Sequence, residues 1–244
     1  MDKLWKYIIV SSAFVLAAMV LAAAYTGRTR DVGTISVTGL GEKVFTSDLV
    51  VINASIRVEN ANAADGYVEL ERQRAKVEEF LKGKGVVADS ISYAMPMSHE
   101  LFEDQYAEGN YVGRRLRGYM LSQSFTISSN DIDKVESAAR ELPSLMAEGI
   151  MVSVSEPLYY YTELESVKHD LIGAAAEDAY KRAEIIATNS QVRLGRLAQS
   201  RSGVFQITAA TGDEEFSAGG SFNLSSREKK ARVTVRAEYK IKIN

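Results

Sequence analysis

The sequence predicts an α+β fold: mostly antiparallel sheet, in one or more sheets, packed by two or three helices, built from repeated strand-helix-strand units and preceded by an N-terminal hydrophobic helix. Three observations carry this prediction. Period-two alternation marks strands, as at Val50, Ile52, Ala54, Ile56 and Val58. Two helical stretches each end on a glycine that leads straight into a strand, Leu81-Lys-Gly-Lys-Gly85-Val86 and Leu145-Met-Ala-Glu-Gly149-Ile150. The closing segment sets Ala231, Val233, Val235, Ala237, Tyr239 and Ile241 on one face and mostly charged residues on the other.

Taken in order, residues 1–27 form the first segment. From Tyr7 to Gly27 no residue is charged, and Lys6 and Arg28 bound the run. At about 1.5 Å per residue a helix of that length spans the roughly 30 Å hydrocarbon layer of a membrane. Lys3 and Lys6 before the run and Ala22-Ala23-Ala24 near its end also fit a signal peptide cut after Ala24. Trp5, Tyr7 and Tyr25 at the two ends suit the interfaces of a retained span. A retained anchor is the favoured reading and cleavage the alternative. Either sends the remainder across the membrane, to the periplasmic side of the inner membrane or free in the periplasm. Residues 28–33 are a short linker and 34–244 one domain.

Within that domain, Thr34–Val37 and Val44–Val58 read as strands separated by Gly39-Leu40-Gly41. Ala61–Lys84 reads as a helix with Tyr67, Leu70, Val77 and Leu81 on one face, ended by Gly83 and Gly85. Strands follow near Ser90–Met97 and Leu116–Ser128, and the mixed insert Glu100–Arg115 reads as an exposed loop or hairpin tip. Ser129 or Asn130 caps a second helix through Ile132, Val135, Ala139, Leu142 and Met146, after which Ile150–Tyr161 resumes strand character. The longest helix is expected over Thr162–Ser190, with Leu164, Val167, Leu171, Ala175, Ala179, Ala183 and Ile186 as its apolar stripe. A strand region at Leu194–Ala210, a polar loop at Thr211–Ser226 and the closing strand complete the chain.

Composition removes several function classes. The chain of 244 residues has 29 basic and 32 acidic residues, so no basic excess points to nucleic acid. It contains no cysteine, which excludes disulfides and thiol chemistry. Setting aside residues 1–25 leaves 27 basic against 31 acidic residues. The two histidines, His99 and His169, lack any H-x-x-x-H or H-E-x-x-H spacing, so no metal site is expected. Gly39-Leu-Gly41 lacks the third glycine of a dinucleotide loop, and neither a phosphate-binding G-x-x-x-x-G-K-[ST] nor a G-x-S-x-G elbow occurs. The sequence therefore predicts no catalytic residue, no cofactor and no enzyme.

Four clusters remain. Glu103, Asp104 and Glu108, and the run Asp213-Glu214-Glu215, lack calcium-loop spacing and read as solvated loops. Arg114, Arg115 and Arg117 are candidate contacts for phosphate or a lipid headgroup, with pairing to Glu103, Asp104 or Glu108 as the alternative. Tyr159, Tyr160 and Tyr161 put rings on both faces of an extended segment and are the candidate interface for self-association.

Ile35-Ser-Val37-Thr-Gly39-Leu-Gly41-Glu42, Ala174-Ala-Ala-Glu-Asp178-Ala179-Tyr-Lys181-Arg-Ala183, the pair Leu194-Gly195 and Val233-Thr-Val235-Arg-Ala237-Glu-Tyr239 occur in that order. With them the chain resembles the SIMPL domain family, formerly a domain of unknown function, DUF541, over about residues 33–243. One departure is Ser47-Asp48 where members often carry Pro-Asp before the second strand. The resemblance implies export to the periplasm or cell envelope. Some members are similar to a periplasmic protein that assembles into ring- or channel-like oligomers, and others are associated with oxidative-stress tolerance. It implies no catalytic residues. The expected function is a non-catalytic, membrane-tethered and homo-oligomeric envelope scaffold or stress-associated component, with an envelope protein or lipid as a further partner. The alternative is a small-molecule or lipid-binding periplasmic module with a cavity lined by Leu171 and Ala175.

Overall fold

The computed structural model describes residues 11–22, 33–211 and 219–242. Residues 11–22 lie within a helix (α1), and all twelve are exposed. The remainder of the expected 7–27 span lies outside the described residues. Among the described residues, no helix is long and apolar enough to cross a membrane.

The strands are β1 (Thr34–Thr46), β2 (Leu49–Asn60), β3 (Ile91–Tyr93), β4 (Met97–Ala107), β5 (Asn110–Ser129), β6 (Met151–Val154), β7 (Leu158–Tyr160), β8 (Arg193–Ser202), β9 (Gln206–Ala209) and β10 (Glu228–Lys242). The helices after α1 are α2 (Ala63–Gly83), α3 (Ile132–Glu141) and α4 (Leu164–Asn189). These form two compact units. Unit 1 takes the described residues up to Gly41, Ile172–Gly203 and Val233 onward, and unit 2 takes Glu42–Leu171 and Val204–Arg232. β1, α4 and β10 therefore contribute residues to both.

Unit 2 is built on an antiparallel sheet in the order β3-β5-β2-β6, with β4 also on β5 and β7 also on β2. α2 leaves β2 and returns to β3 across β5; α3 leaves β5 and returns to β6 across β2. Each helix thus crosses one central strand, a split β-α-β arrangement used twice, which bears out the two strand-helix-strand units. The helix ends repeat down to single hydrogen bonds. Gly85 (φ 81°) and Gly149 (φ 82°) both take the left-handed conformation, which is cheap only for glycine. Val86 N–H donates to Leu81 O at 3.0 Å and Ile150 N–H to Leu145 O at 3.1 Å, and all four side chains are buried.

α2 starts where the Asn62 side chain accepts from the N–H groups of Ala64 (2.8 Å) and Asp65 (3.4 Å). It buries Gly66, Leu70, Gln73, Val77 and Leu81; Tyr67, expected on that face, is exposed. α3 is capped by Asp131, not by Ser129 or Asn130, although Ser129 Oγ supports it by accepting from Asp131 N–H. After Glu141 the helix tightens into a 3-10 turn, Leu142–Glu148, carrying Pro143 near its start. With three residues per turn the inward position after Leu142 is Leu145, which displaces the expected Met146 to the surface. Both helices cover the face of β2 that carries Val50, Ile52, Ala54, Ile56 and Val58.

Three expected strands are interrupted, the first of them Val44–Val58, which breaks at Ser47-Asp48 between the end of β1 and the start of β2. Ser90–Met97 resolves into β3 and the start of β4 across Pro96, and Ile150–Tyr161 into β6 and β7 across Pro157, since proline has no N–H for the ladder. Asp48, at the turn into β2, accepts from Thr162 N–H at 2.8 Å and Thr162 Oγ1 at 2.6 Å.

Unit 1 packs α4 on a sheet in which β10 lies between β1 and β8. Its core holds Val37, Ala179, Ala183, Ala237 and Tyr239. The buried stripe of α4 continues to Ala187, while Ile186, expected on it, is 44% exposed. Gly39-Leu40-Gly41 does not break the first strand: β1 runs through it to Thr46. A Cβ on Gly39 would lie 2.1 Å from Ala175 O and 2.4 Å from Ala179 N, so the glycine is there to let strand and helix backbones meet. Beside it Leu40 N–H donates to Asp178 Oδ2 at 2.9 Å. That bond, with the Arg182 guanidinium, holds the Asp178 carboxyl below its ordinary value.

Candidate interaction surfaces

The insert expected as a loop or hairpin tip is an extended hairpin. β4 pairs with β5 from Met97↔Ser122 to Ala107↔Asn110, and the turn places Glu108 (φ 53°) and Gly109 (φ 81°) in the left-handed region, as a two-residue hairpin turn requires. β2 pairs with β5 only from Tyr119 onward, so residues 110–118 bond to β4 alone among the described residues. Phe102, Tyr106, Tyr111, Val112 and Leu116 are all exposed, and the rings of Tyr106 and Tyr111 meet edge to face at 5.9 Å. The arm thus carries apolar side chains to solvent and leaves two backbone edges open.

Its charges are ordered across the strands. Arg114 Nε lies 3.2 Å from Asp104 Oδ1 and Arg115 Nη2 3.4 Å from Glu103 Oε2. Two of the three candidate anion-binding arginines are therefore paired with carboxylates of β4. Arg117 sits at the irregularity where the register steps from Leu101↔Gly118 to Phe102↔Leu116. His99 on β4 and His169 on α4 are exposed and far apart in sequence. Among the described residues, no group of three or more His, Asp or Glu side chains could hold a metal ion. Asp213, Glu214 and Glu215 lie outside the described residues.

The tyrosine triplet lies on β7 and the residue after it, and all three residues are half-buried. Tyr159 OH donates to Glu136 Oε1 at 2.7 Å, and its ring packs on the unit 2 core. Tyr161 meets the Phe45 ring at 4.9 Å. Tyr160 pairs with Leu49, and its carbonyl accepts from Asp48 N–H at 3.1 Å. Two of the three rings thus have partners inside the unit.

Burial and the bond to Glu136 push the Tyr159 hydroxyl up to about 12. A raised value means that the neutral phenol is favoured in the fold. Its contribution is complete below the ordinary value near 10 and is lost as pH rises through about 12. Tyr159→Phe is expected to cost about 1 kcal/mol at neutral pH and to flatten part of the alkaline loss. Urea unfolding at neutral pH and at pH near 11 measures both; equal stability of the two proteins at neutral pH would refute the bond's role.

A further polar surface was not anticipated as a site. On the face of the unit 1 sheet away from α4, Arg236 stands directly opposite Arg201, and Lys242 opposite Arg193. Lys240 projects between them, opposite the bulge that contains Gly195 and Arg196. Ser36, Gln199, Arg201, Arg236 and Glu238 line a recess of about 270 Å³. The alternation of β10 shows its half of this face in the sequence; the pairing with β8, through two register shifts, does not.

Leu171 and Ala175, named for a ligand cavity, are 2% and 0% exposed. Gly39 seats against the Ala175 carbonyl, so that point of α4 is filled by backbone.

No curated protein matches the chain. Residues 35–239 match the family described as SIMPL, protein of unknown function (DUF541). That span runs from the second residue of β1 to Tyr239 near the end of β10 and takes in every strand and all of α2, α3 and α4. The chain belongs to the SIMPL (DUF541) family.

Proposed function

We propose that this chain is a non-catalytic scaffold of the cell envelope, tethered to the inner membrane through residues 7–27 and assembled with copies of itself on the periplasmic side. The observation that carries the assembly is the hairpin arm, with its apolar exposure and two open edges. Open, exposed strand edges are templates for pairing with another chain. The free edge of β4 carries Glu100, Glu103 and Asp104, while residues 110–118 of β5 carry Arg114, Arg115 and Arg117. Glu103 and Asp104 already face Arg115 and Arg114 within the arm, so neither edge carries a large net charge and β4 of one copy can add to the open β5 edge of the next. Such a contact is head-to-tail, and it closes into a ring when the rotation allows. For the tether, the support is the charge-free run in which residues 11–22 are helical and exposed.

Light scattering on the full chain, extracted in detergent, tests the assembly. A multimer is expected, and Phe102→Asp with Tyr106→Asp is expected to reduce it to the monomer without unfolding it. A monomer at every concentration would overturn the reading. Intact mass of the native chain decides between a retained span and cleavage after Ala24.

A further inference from the structure

The cations of this protein are distributed unevenly. In unit 2 most of them face carboxylates: Lys43 with Asp170, Arg74 with Glu71, Lys76 with Glu148, Arg227 with Asp133, and Lys230 and Arg232 with Glu42. On α4, Lys181 and Arg182 likewise pair with Glu177 and Asp178. Arg193, Arg196 and Arg201 on β8 and Arg236, Lys240 and Lys242 on β10 form no such pair among the described residues. Among the described residues, Arg236 reaches only Ser36 Oγ, at 3.4 Å. With the Gln199 amide turned so that its oxygen faces Arg201, that oxygen accepts from Nε at 2.8 Å and Nη2 at 3.0 Å. Within unit 1, Glu238 is the one carboxylate on this face of β8 and β10, and the unit 1 part of β1 adds Thr34, Ser36 and Thr38 without charge.

Like charges directly opposite across two strands are destabilising unless something between them is negative. The Arg236–Arg201 pair borders the recess with Ser36, Gln199 and Glu238, so two guanidinium groups and a hydroxyl converge with a single carboxylate on a space of about 270 Å³. Guanidinium groups suit phosphate oxygens.

Position selects among the anions. Six residues, 28–33, separate the charge-free run from Thr34, the first residue of β1. Fully extended, they reach at most about 20 Å. β10 and β8 are the next two strands from β1, about 5 and 10 Å away across the sheet. The cationic face is thereby tied close to a membrane surface, where an anionic leaflet attracts basic side chains over a Debye length of about 8 Å.

We infer that the outer face of the unit 1 sheet docks on the anionic lipid headgroups of the membrane that holds the N-terminal segment, with a lipid phosphate in the recess between Arg201 and Arg236. This rests on the tether proposed above, and the test separates the two. The chain has no cysteine, so single labels can be placed on the full protein. A polarity-sensitive label goes on Gln199→Cys, within the face, and as a control on Ala174→Cys, exposed on α4 of the same unit. The labelled chain is offered to lipid nanodiscs of phosphatidylcholine alone and to discs with a third of the lipid replaced by phosphatidylglycerol.

Capture by the neutral discs reports the tether. Docking predicts that only the phosphatidylglycerol discs shield the label at 199 from acrylamide, several-fold, while the label at 174 stays open. Salt near 0.5 M should undo the shielding. Arg201→Gln with Arg236→Gln should abolish it, and Arg201→Lys with Arg236→Lys, which tests for misfolding, should largely keep it. Equal quenching in the two kinds of disc overturns the inference even if the chain is captured. Shielding by inorganic phosphate alone, or by a soluble anionic polysaccharide but not by discs, also overturns it, in favour of a free anion or a polysaccharide partner. Failure of capture by neutral discs together with shielding by anionic ones removes the tether and keeps the docking face.

Discussion

Gly39→Ala is expected to lower the melting temperature of the protein by about 6–12 °C, from a loss of roughly 3 kcal/mol at about 2–4 °C per kcal/mol for a chain of this size. The added methyl would overlap Ala175 O, Ala179 N and Ala179 Cβ, the last at 2.8 Å, and the first two are helix backbone. No rotamer change can relieve such an overlap; β1 must lift from α4. Lifting it lengthens the bond from Leu40 N–H to Asp178, which is 2.9 Å in the native fold. A thermal melt followed by circular dichroism measures the loss, and a melting temperature unchanged within a degree or two would show that the close approach carries no weight.

Phe125→Ala is expected to cost about 3–5 kcal/mol. Phe125 is 1% exposed, pairs with Ala54 on β2 and Tyr93 on β3, and stacks on the Tyr93 ring at 5.3 Å. It sits where β3, β5 and β2 run side by side under the two helices, so truncation leaves a cavity that no neighbour can enter without breaking the ladder. Val68→Ala, on α2 of the same unit but 69% exposed, is the control and should change stability by less than about 0.5 kcal/mol. Urea unfolding of the two variants compares them directly. Similar losses would mean that burial of the Phe125 ring does not set the cost.

These two positions show what the sequence could and could not reveal. Phe125 lies in a run whose strand character is readable locally. The matched turns at Gly85 and Gly149 were legible for the same reason, since a left-handed helix end is a short-range event. Gly39 misleads, because two glycines in three residues read as a break. Its actual partner, Ala175, lies far along the chain, and no local pattern reports it. Pro143 likewise moves the inward position from Met146 to Leu145 through a change of helix pitch that a fixed 3.6-residue period cannot follow. The docking face was half visible: the alternation of β10 exposes Arg236, Lys240 and Lys242, but only the bulged pairing with β8 brings Arg201 opposite Arg236. The tyrosine triplet looked like an interface by composition, and Glu136 and Phe45 account for two of its rings.

The place of β10 has a consequence for how the chain matures. It is the last strand described, and it fills the middle of the unit 1 sheet, between β1 and β8. Neither neighbour has its ladder partner until residues 233–242 arrive. During synthesis unit 1 must therefore wait, open, for some 200 residues after β1 has emerged, since distant pairings are slow to close. Unit 2 holds both of its central strands within Leu49–Ser129 and has no such delay. A chain stalled or clipped before β10 would carry a folded hairpin arm and an unclosed sheet, a form suited to capture by quality-control proteases.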